Sequence, residues 1–196
     1  GLSTRFAGRV RNAPLSESTI VGTAIGRALA GGRPVAMLQF SDFLPLAFNQ
    51  ICSELSTMYW RTDGGWQCPV IIMAPCGGYR PGLGHFHAQS FESIAAHLPG
   101  IDVLVPSTAA DAAAGLNAAF ESPRPTLFFY PKALLNDREQ TTSSDIARHL
   151  ATVGRARIVR PGSDLTIVAW GNTIARALAA ADMLSDQGKC CEVIDL

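Results

Sequence analysis

Two stretches decide the fold: Val70-Ile71-Ile72-Met73-Ala74 and Thr126-Leu127-Phe128-Phe129-Tyr130. Each is a short, continuous apolar run rather than an alternation of apolar and polar residues. Such runs form strands buried on both faces, as in a parallel sheet covered by helices. Pro34–Phe40 and Asp102–Pro106 have the same character. Helical stretches separate them. Residues 18–30 read as a helix with Ser16 as N-cap and Gly31-Gly32 as its stop. Asp42–Trp60 reads as one long helix capped by Ser41 or Asp42, Ser90–Leu98 as a short helix, and Ala109–Glu121 as an Ala-rich one. The alternation predicts an α/β layered fold with a parallel sheet.

Beyond Pro131 the character changes. Residues 133–160 are polar, include Thr141-Thr142-Ser143-Ser144, carry no clear period beyond a short stretch near Arg155–Arg160, and are expected to form a linker between a first unit, 1–132, and a second, 161–196. The second unit reads as βαβ: Asp164–Trp170, Thr173–Gln187 and Glu192–Leu196. It has too few elements to close a core alone and is expected to be the start of a second α/β domain. Gly1 stands where an initiator Met would, and the chain stops at the end of a strand-like run, so a fragment is expected.

Composition narrows the function. The 196 residues are 47% hydrophobic and 16% charged, with 16 basic and 16 acidic side chains. Zero net charge without a Lys/Arg cluster argues against nucleic-acid binding by phosphate neutralisation. No apolar run reaches the roughly 18 residues of a membrane span. Five cysteines, two of them adjacent and none in CxxC spacing, suit reduced thiols in a cytosol-like compartment better than a disulfide scaffold.

Several features could carry chemistry. Glu17 enters the first helix; a first-turn Glu is favoured by the helix dipole, or it is a carboxylate held toward a ligand. His85 and His87 follow the glycine-rich loop Cys76–Gly84; they are structural, or one is catalytic at the end of a loop. No third ligand at metal spacing accompanies them. The loop lacks the GK[ST] of a P-loop. Gly22, Gly26 and Ala30 share one helix face, which suits core packing or a subunit interface.

In order along the chain, Pro14-Leu15-Ser16-Glu17, Ile20-Val21-Gly22 with Gly26, Arg33-Pro34-Val35-Ala36, Gln39-Phe40-Ser41-Asp42-Phe43, Ala47-Phe48-Asn49-Gln50-Ile51, His87-Ala88-Gln89-Ser90, His97-Leu98-Pro99-Gly100, Phe128-Phe129-Tyr130-Pro131-Lys132 and Gly162–Gly171 with Cys191–Leu196 form a further pattern. It resembles the β subunit of the thiamine-diphosphate-dependent decarboxylating component of 2-oxoacid dehydrogenase complexes, the branched-chain type above all, with the pyruvate type related. The resemblance covers nearly the whole chain.

It implies a transketolase-type pyrimidine-binding domain lacking its first segment, then the opening of a transketolase-type C-terminal domain. It implies thiamine diphosphate shared with an α subunit in an α2β2 heterotetramer, the α subunit holding the diphosphate and Mg²⁺, and a lipoyl-bearing acyltransferase core as the next partner. It implies oxidative decarboxylation of a 2-oxoacid with acyl transfer to lipoyl groups. Glu17 stands where the family's carboxyl hydrogen-bonds the aminopyrimidine ring and activates the cofactor. Phe43 takes the aromatic position against the pyrimidine, Leu15 and Gln39 complete the cofactor-binding set, and His87 matches the active-site histidine, with no protein metal ligand in this chain.

Met37, Ala74 and Tyr130 replace charges usual in the family. Ser122 and Arg124 replace an Asp and an Asn near its structural potassium site, which speaks against a potassium ion here. Other transketolase-superfamily enzymes, which carry a Gly-Glu-Asp-Gly-Pro-Thr-His type segment where this chain has Gly84–Ser90, and a degenerate scaffold are the alternatives. With the thiol pattern, the resemblance favours the bacterial cytoplasm, or the mitochondrial matrix in a eukaryote.

Overall fold

The computed structural model describes residues 1–138 and 140–196. Glu139, inside the span expected to be linker, lies outside the described residues. After a short helix α1 (Leu2–Arg5) come α2 (Glu17–Leu29) and the strands β1 (Val35–Met37), β2 (Ile71–Cys76), β3 (Asp102–Leu104) and β4 (Thr126–Pro131), with α3 (Met58–Arg61), α4 (Glu92–Ala96) and α5 (Ala109–Glu121) between them. All four strands run parallel in the order β1-β2-β4-β3. Val35 lies opposite Ile71, which lies opposite Thr126.

Alternate strand residues face opposite sides of the sheet. Ile72, Ala74, Leu127 and Phe129 point to one core with Val21, Ala24, Ile25, Leu44 and Ile51. Ile71 and Phe128 point to the other with Ala119, and Leu104, Met73 and Leu116 pack around them. Ile71, Ile72, Leu127, Phe128 and Phe129 are almost wholly buried, which is why these runs show no polar alternation.

Two expectations change at the level of the element. Ser16 is the N-cap residue of α2, with extended backbone, but its hydroxyl makes no cap hydrogen bond; it meets Thr19 Oγ1 at 2.9 Å. The single helix expected over Asp42–Trp60 is instead a 3₁₀ turn (Ser41–Ala47), a π turn (Asn49–Leu55) and α3. Pro45 lies inside the first of these and has no N–H to donate. Ser56 N–H reaches back five residues to Ile51 C=O at 2.9 Å, the mark of a π turn. Neither Ser41 nor Asp42 caps a helix; Phe40 occupies that position.

The second sheet contains β5 (Arg157–Arg160), β6 (Leu165–Ala169) and β7 (Cys191–Asp195), in the order β5-β7-β6, with α6 (Thr173–Ser185) packed on it. β6 and β7 are parallel, as a βαβ unit requires, and β5 is antiparallel to β7. β5 thus occupies part of the span expected to be linker. Within that span His149 is buried and Asn117 of α5 donates to the carbonyls of Ile146 and His149, at 2.9 and 3.0 Å. No helix of the described residues is long and apolar enough to cross a membrane.

Candidate functional site

In a parallel sheet the C-terminal strand ends share one edge, and ligands of open α/β sheets bind outside that edge. Here β1 leads into Gln39, Phe40 and the turn at Ser41, β2 leads into the glycine-rich loop, and β4 leads into Lys132. The loop folds back onto the other two. Ser41 is fully buried and its hydroxyl donates to Gln89 C=O at 2.8 Å. Gly77 N–H donates to the same carbonyl at 3.0 Å. Asp42 Oδ1 accepts the N–H groups of Ala88 and Gln89 at 3.2 and 3.1 Å. Lys132 Nζ donates to His87 C=O.

These bonds place the His87 ring edge-on to two aromatic rings. Its centroid lies 4.9 Å from Phe40 and 6.0 Å from Phe43, with planes nearly perpendicular; Phe40 and Phe43 are 6.1 Å apart. Edge-to-face arrangements of this kind are worth about 0.5–1.5 kcal/mol beyond area burial. Lys132 Nζ stands 4.7 Å over the Phe40 ring and 5.9 Å over Tyr79. His85, two residues away, is exposed; its ring meets Phe86 at 5.0 Å, and its carbonyl accepts from Gln89 Nε2.

Glu17 opens α2 and is only 6% exposed. Among the described residues its carboxylate has no hydrogen-bond or ion-pair partner. α2 packs against the Ser41–Ala47 turn that carries Phe43. Leu15 is 88% exposed and gives Glu17 no apolar cover within this chain. Gln39 is exposed, and its side chain has no hydrogen-bond partner among the described residues. The structure therefore brings Phe43 and His87 together, puts Glu17 on a helix against the same turn, and leaves Leu15 and Gln39 open.

Electrostatics beneath the loop are set by burial. Lys132 is 7% exposed, and desolvation lowers its pKa from the usual lysine range while Asp42 and Cys76 pull it back up. Burial, then the charge of Glu92, pushes the Cys76 thiol up to about 12. Burial, then Cys76, raises Tyr130. Asp42 Oδ2 and Glu92 Oε2 are buried without a hydrogen-bond partner. Among the described residues no group of three His, Cys, Asp or Glu side chains is placed to hold a metal ion.

In the sequence Lys132 stands only at the end of the Phe128–Lys132 stretch, and Asp42 is one of two alternative helix caps beside Ser41. The available signal was a lysine directly after an apolar strand, where a charge is tolerated only if it is held. A cavity of about 610 Å³ runs along Gly22, Ile25 and Leu29 to Met58 and Trp66, and another of about 270 Å³ lies between Met58, Cys68, Gly100 and Arg124. Neither is lined by Glu17, Phe43 or His87.

Residues 1–138 match the family described as the transketolase pyrimidine-binding domain, and residues 154–196 match the transketolase C-terminal domain. The chain belongs to the transketolase pyrimidine-binding domain family. It is 38% identical, over 96% of its length and 57% of the relative's, to the 2-oxoisovalerate dehydrogenase subunit beta of Bacillus subtilis (strain 168). It is also 38% identical, over its whole length and 57% of the relative's, to the pyruvate dehydrogenase E1 component subunit beta of Leifsonia xyli subsp. xyli. Among solved structures it is similar to a split-gene transketolase described as an inactive beta4 tetramer, with 29% identity and a TM-score of 0.78, covering all of this chain and 59% of that one. The chain thus spans somewhat more than half the length of the relatives it matches.

Proposed function

We propose that this chain is the β-subunit part of a decarboxylating 2-oxoacid dehydrogenase component, of the branched-chain type, and supplies the aminopyrimidine half of a thiamine diphosphate site. The observation that carries this reading is Glu17: a residue only 6% exposed at a helix start, with no side-chain hydrogen bond or ion pair among the described residues, on a helix packed against the turn that holds Phe43. Its carboxylate oxygens are not sealed from water as Asp42 Oδ2 and Glu92 Oε2 are, so they are open to a ring nitrogen that shares their proton. The side chains present therefore fit the group.

When bound, thiamine diphosphate supplies the carbon nucleophile and electron sink of decarboxylation. Glu17 holds a proton toward the aminopyrimidine nitrogen. Phe43 provides an aromatic contact for that ring, with Leu15 and Gln39, both open, completing its surroundings. The His87 imidazole moves a proton during decarboxylation or during acyl transfer to a lipoyl group. The diphosphate and Mg²⁺ fall to an α subunit in an α2β2 assembly, and the acyl product passes to a lipoyl-bearing acyltransferase core. The chain's division into a pyrimidine-binding unit and the opening of a C-terminal unit belongs to the same reading, as does a bacterial cytoplasmic location, or the mitochondrial matrix in a eukaryote.

The test uses the full-length β chain reconstituted with its α partner. Glu17→Gln keeps the shape of the side chain and removes the carboxyl proton. It should abolish turnover and slow hydrogen–deuterium exchange at the cofactor's thiazolium carbon, with cofactor binding retained. An unchanged exchange rate removes Glu17 from this role. Failure of the wild-type pair to bind thiamine diphosphate at all would favour a scaffold instead. His87→Ala should lower turnover by about 10²–10⁴-fold, and His85→Ala far less.

A further inference from the structure

The peptide unit joining His87 to Ala88 lies between two opposite charges. Its carbonyl accepts from the Lys132 ammonium, and its N–H donates to the Asp42 carboxylate at 3.2 Å. The positive group faces the negative end of the peptide dipole and the negative group faces the positive end, so both bonds are charge-assisted. The next N–H, from Gln89, goes to the same Asp42 oxygen at 3.1 Å.

We infer that Lys132 and Asp42 are a pair of positioning residues that hold the His87 imidazole against Phe40 and Phe43, acting through the main chain of residues 87–89. The inference rests on the reading of His87 as a proton-transfer group. Neither residue has to touch a ligand to do this. Asp42 is tied to the loop through Oδ1, while Oδ2 is buried and unpartnered. Lys132 is 7% exposed, and the rings it faces, Phe40 and Tyr79, are cation-binding surfaces rather than proton acceptors.

A buried ammonium and a half-satisfied carboxylate are a poor choice for stability alone, since apolar groups of similar size would serve as well or better. Their arrangement does fix a direction. The loop from Gly77 to Phe91 has four glycines and no helix or strand of its own. The pair, with Ser41 and Gly77 on Gln89 C=O, ties the end of that loop to the elements that follow β1, β2 and β4. Phe40 is shared: it lies under the Lys132 ammonium and beside the His87 ring. Displacing the lysine therefore frees both the backbone and the aromatic wall on which the imidazole rests.

Residue-resolved amide exchange of the full-length chain, assembled with its α partner, tests the clamp without turnover. Lys132→Met should speed exchange at Ala88 and Gln89 by about tenfold or more, the scale of one charge-assisted hydrogen bond. The strand amides of Leu38 and Thr126, bonded to Met73 and Val70, should keep their protection and show that the fold is intact. Asp42→Asn, which keeps the shape and loses the charge, should speed the same two amides less. Unchanged exchange at both positions in both variants overturns the clamp.

Turnover then asks whether the clamp works through His87. Lys132→Met should lower kcat about tenfold and leave KM for the 2-oxoacid nearly unchanged, and should cost nothing further in a His87→Ala background. Additive losses overturn the inference. Wild-type turnover in His87→Ala overturns instead the reading of that histidine, and the exchange result alone then decides the clamp.

Discussion

Cys76, beneath the site loop, and Cys68, before the opposite end of β2, show how far burial governs single side chains. Both thiols rise from an ordinary value of 9.0, Cys76 to about 12 and Cys68 to about 11, with desolvation as the main cause. The folded state therefore holds its thiol protons more tightly than the unfolded chain. Stability from this source is whole below pH 9, and is lost as pH rises through the folded values. The melting temperature should be flat from about pH 7 to 8.5 and fall above pH 9. A thiol reagent at pH 8 should label exposed Cys190 first and leave Cys68, Cys76 and buried Cys191 unreacted until the chain unfolds. Equal rates at Cys76 and Cys190 would contradict the burial argument. Phe43 and His87, whose rings the fold brings together, could be singled out at this scale because they sit in recognisable local motifs. Lys132 and Asp42 could not: their partnership joins residues 90 positions apart in sequence and exists only once the sheet edge is built.

At the scale of elements, strands and helices were legible wherever one signal dominated. β2 and β4 announce themselves by apolar continuity and α5 by alanine content; the structure adds a Thr108 cap that accepts Asp111 N–H. The segment after β1 was misjudged because apolar spacing over 42–60 is helical on average, while one proline and one widened turn change its hydrogen bonds locally. The small-residue face of α2 separates two outcomes. A Cβ added at Gly26 would meet nothing within 4 Å, and one at Gly22 would meet only Gln50 Cγ at 3.8 Å. That face is not packed against its own sheet; Gly22 borders the larger cavity. Gly26→Ala should therefore stabilise the separate chain by about 1 kcal/mol, the helix-propensity gain, seen in denaturant unfolding. Gly26→Leu should also leave that fold intact, and should shift the oligomeric state measured by sedimentation if the face meets another subunit. A destabilised separate chain in either variant would mean that the face is packed after all.

At the scale of the whole molecule, the second sheet is joined to the first by specific polar and steric contacts. Asp195, buried at the end of β7, accepts from Ser107 Oγ at 2.5 Å and from Arg157 at 2.9 Å, and Arg157 also reaches Asp111 at 3.0 Å. Trp170 Nε1 donates to Glu92 Oε1 at 3.2 Å, at the start of the helix that follows the site loop. β5 was hidden in a polar stretch because half of its residues are exposed and its pairing partner, β7, lies more than 30 residues further on. The turn after β6 makes the closest approach. Gly171 has φ +56°, and a Cβ there would stand 2.9 Å from Val105 Cγ1 and 3.3 Å from Pro131 Cγ, at the ends of β3 and β4. A side chain meets two costs at this position: left-handed backbone, about 1–2 kcal/mol, and a contact that Val105 relieves only by moving. Gly171→Ala should therefore lower the melting temperature by about 2–8 °C for a chain of this length. Because the strain falls between the two sheets, it should also speed proteolysis within residues 140–153, the polar segment that spans them. Trp170→Phe removes the bond to Glu92 without strain, and should speed that cleavage less. A Gly171→Ala chain that melts and is cut like the wild type would show that the turn is not wedged against β3 and β4.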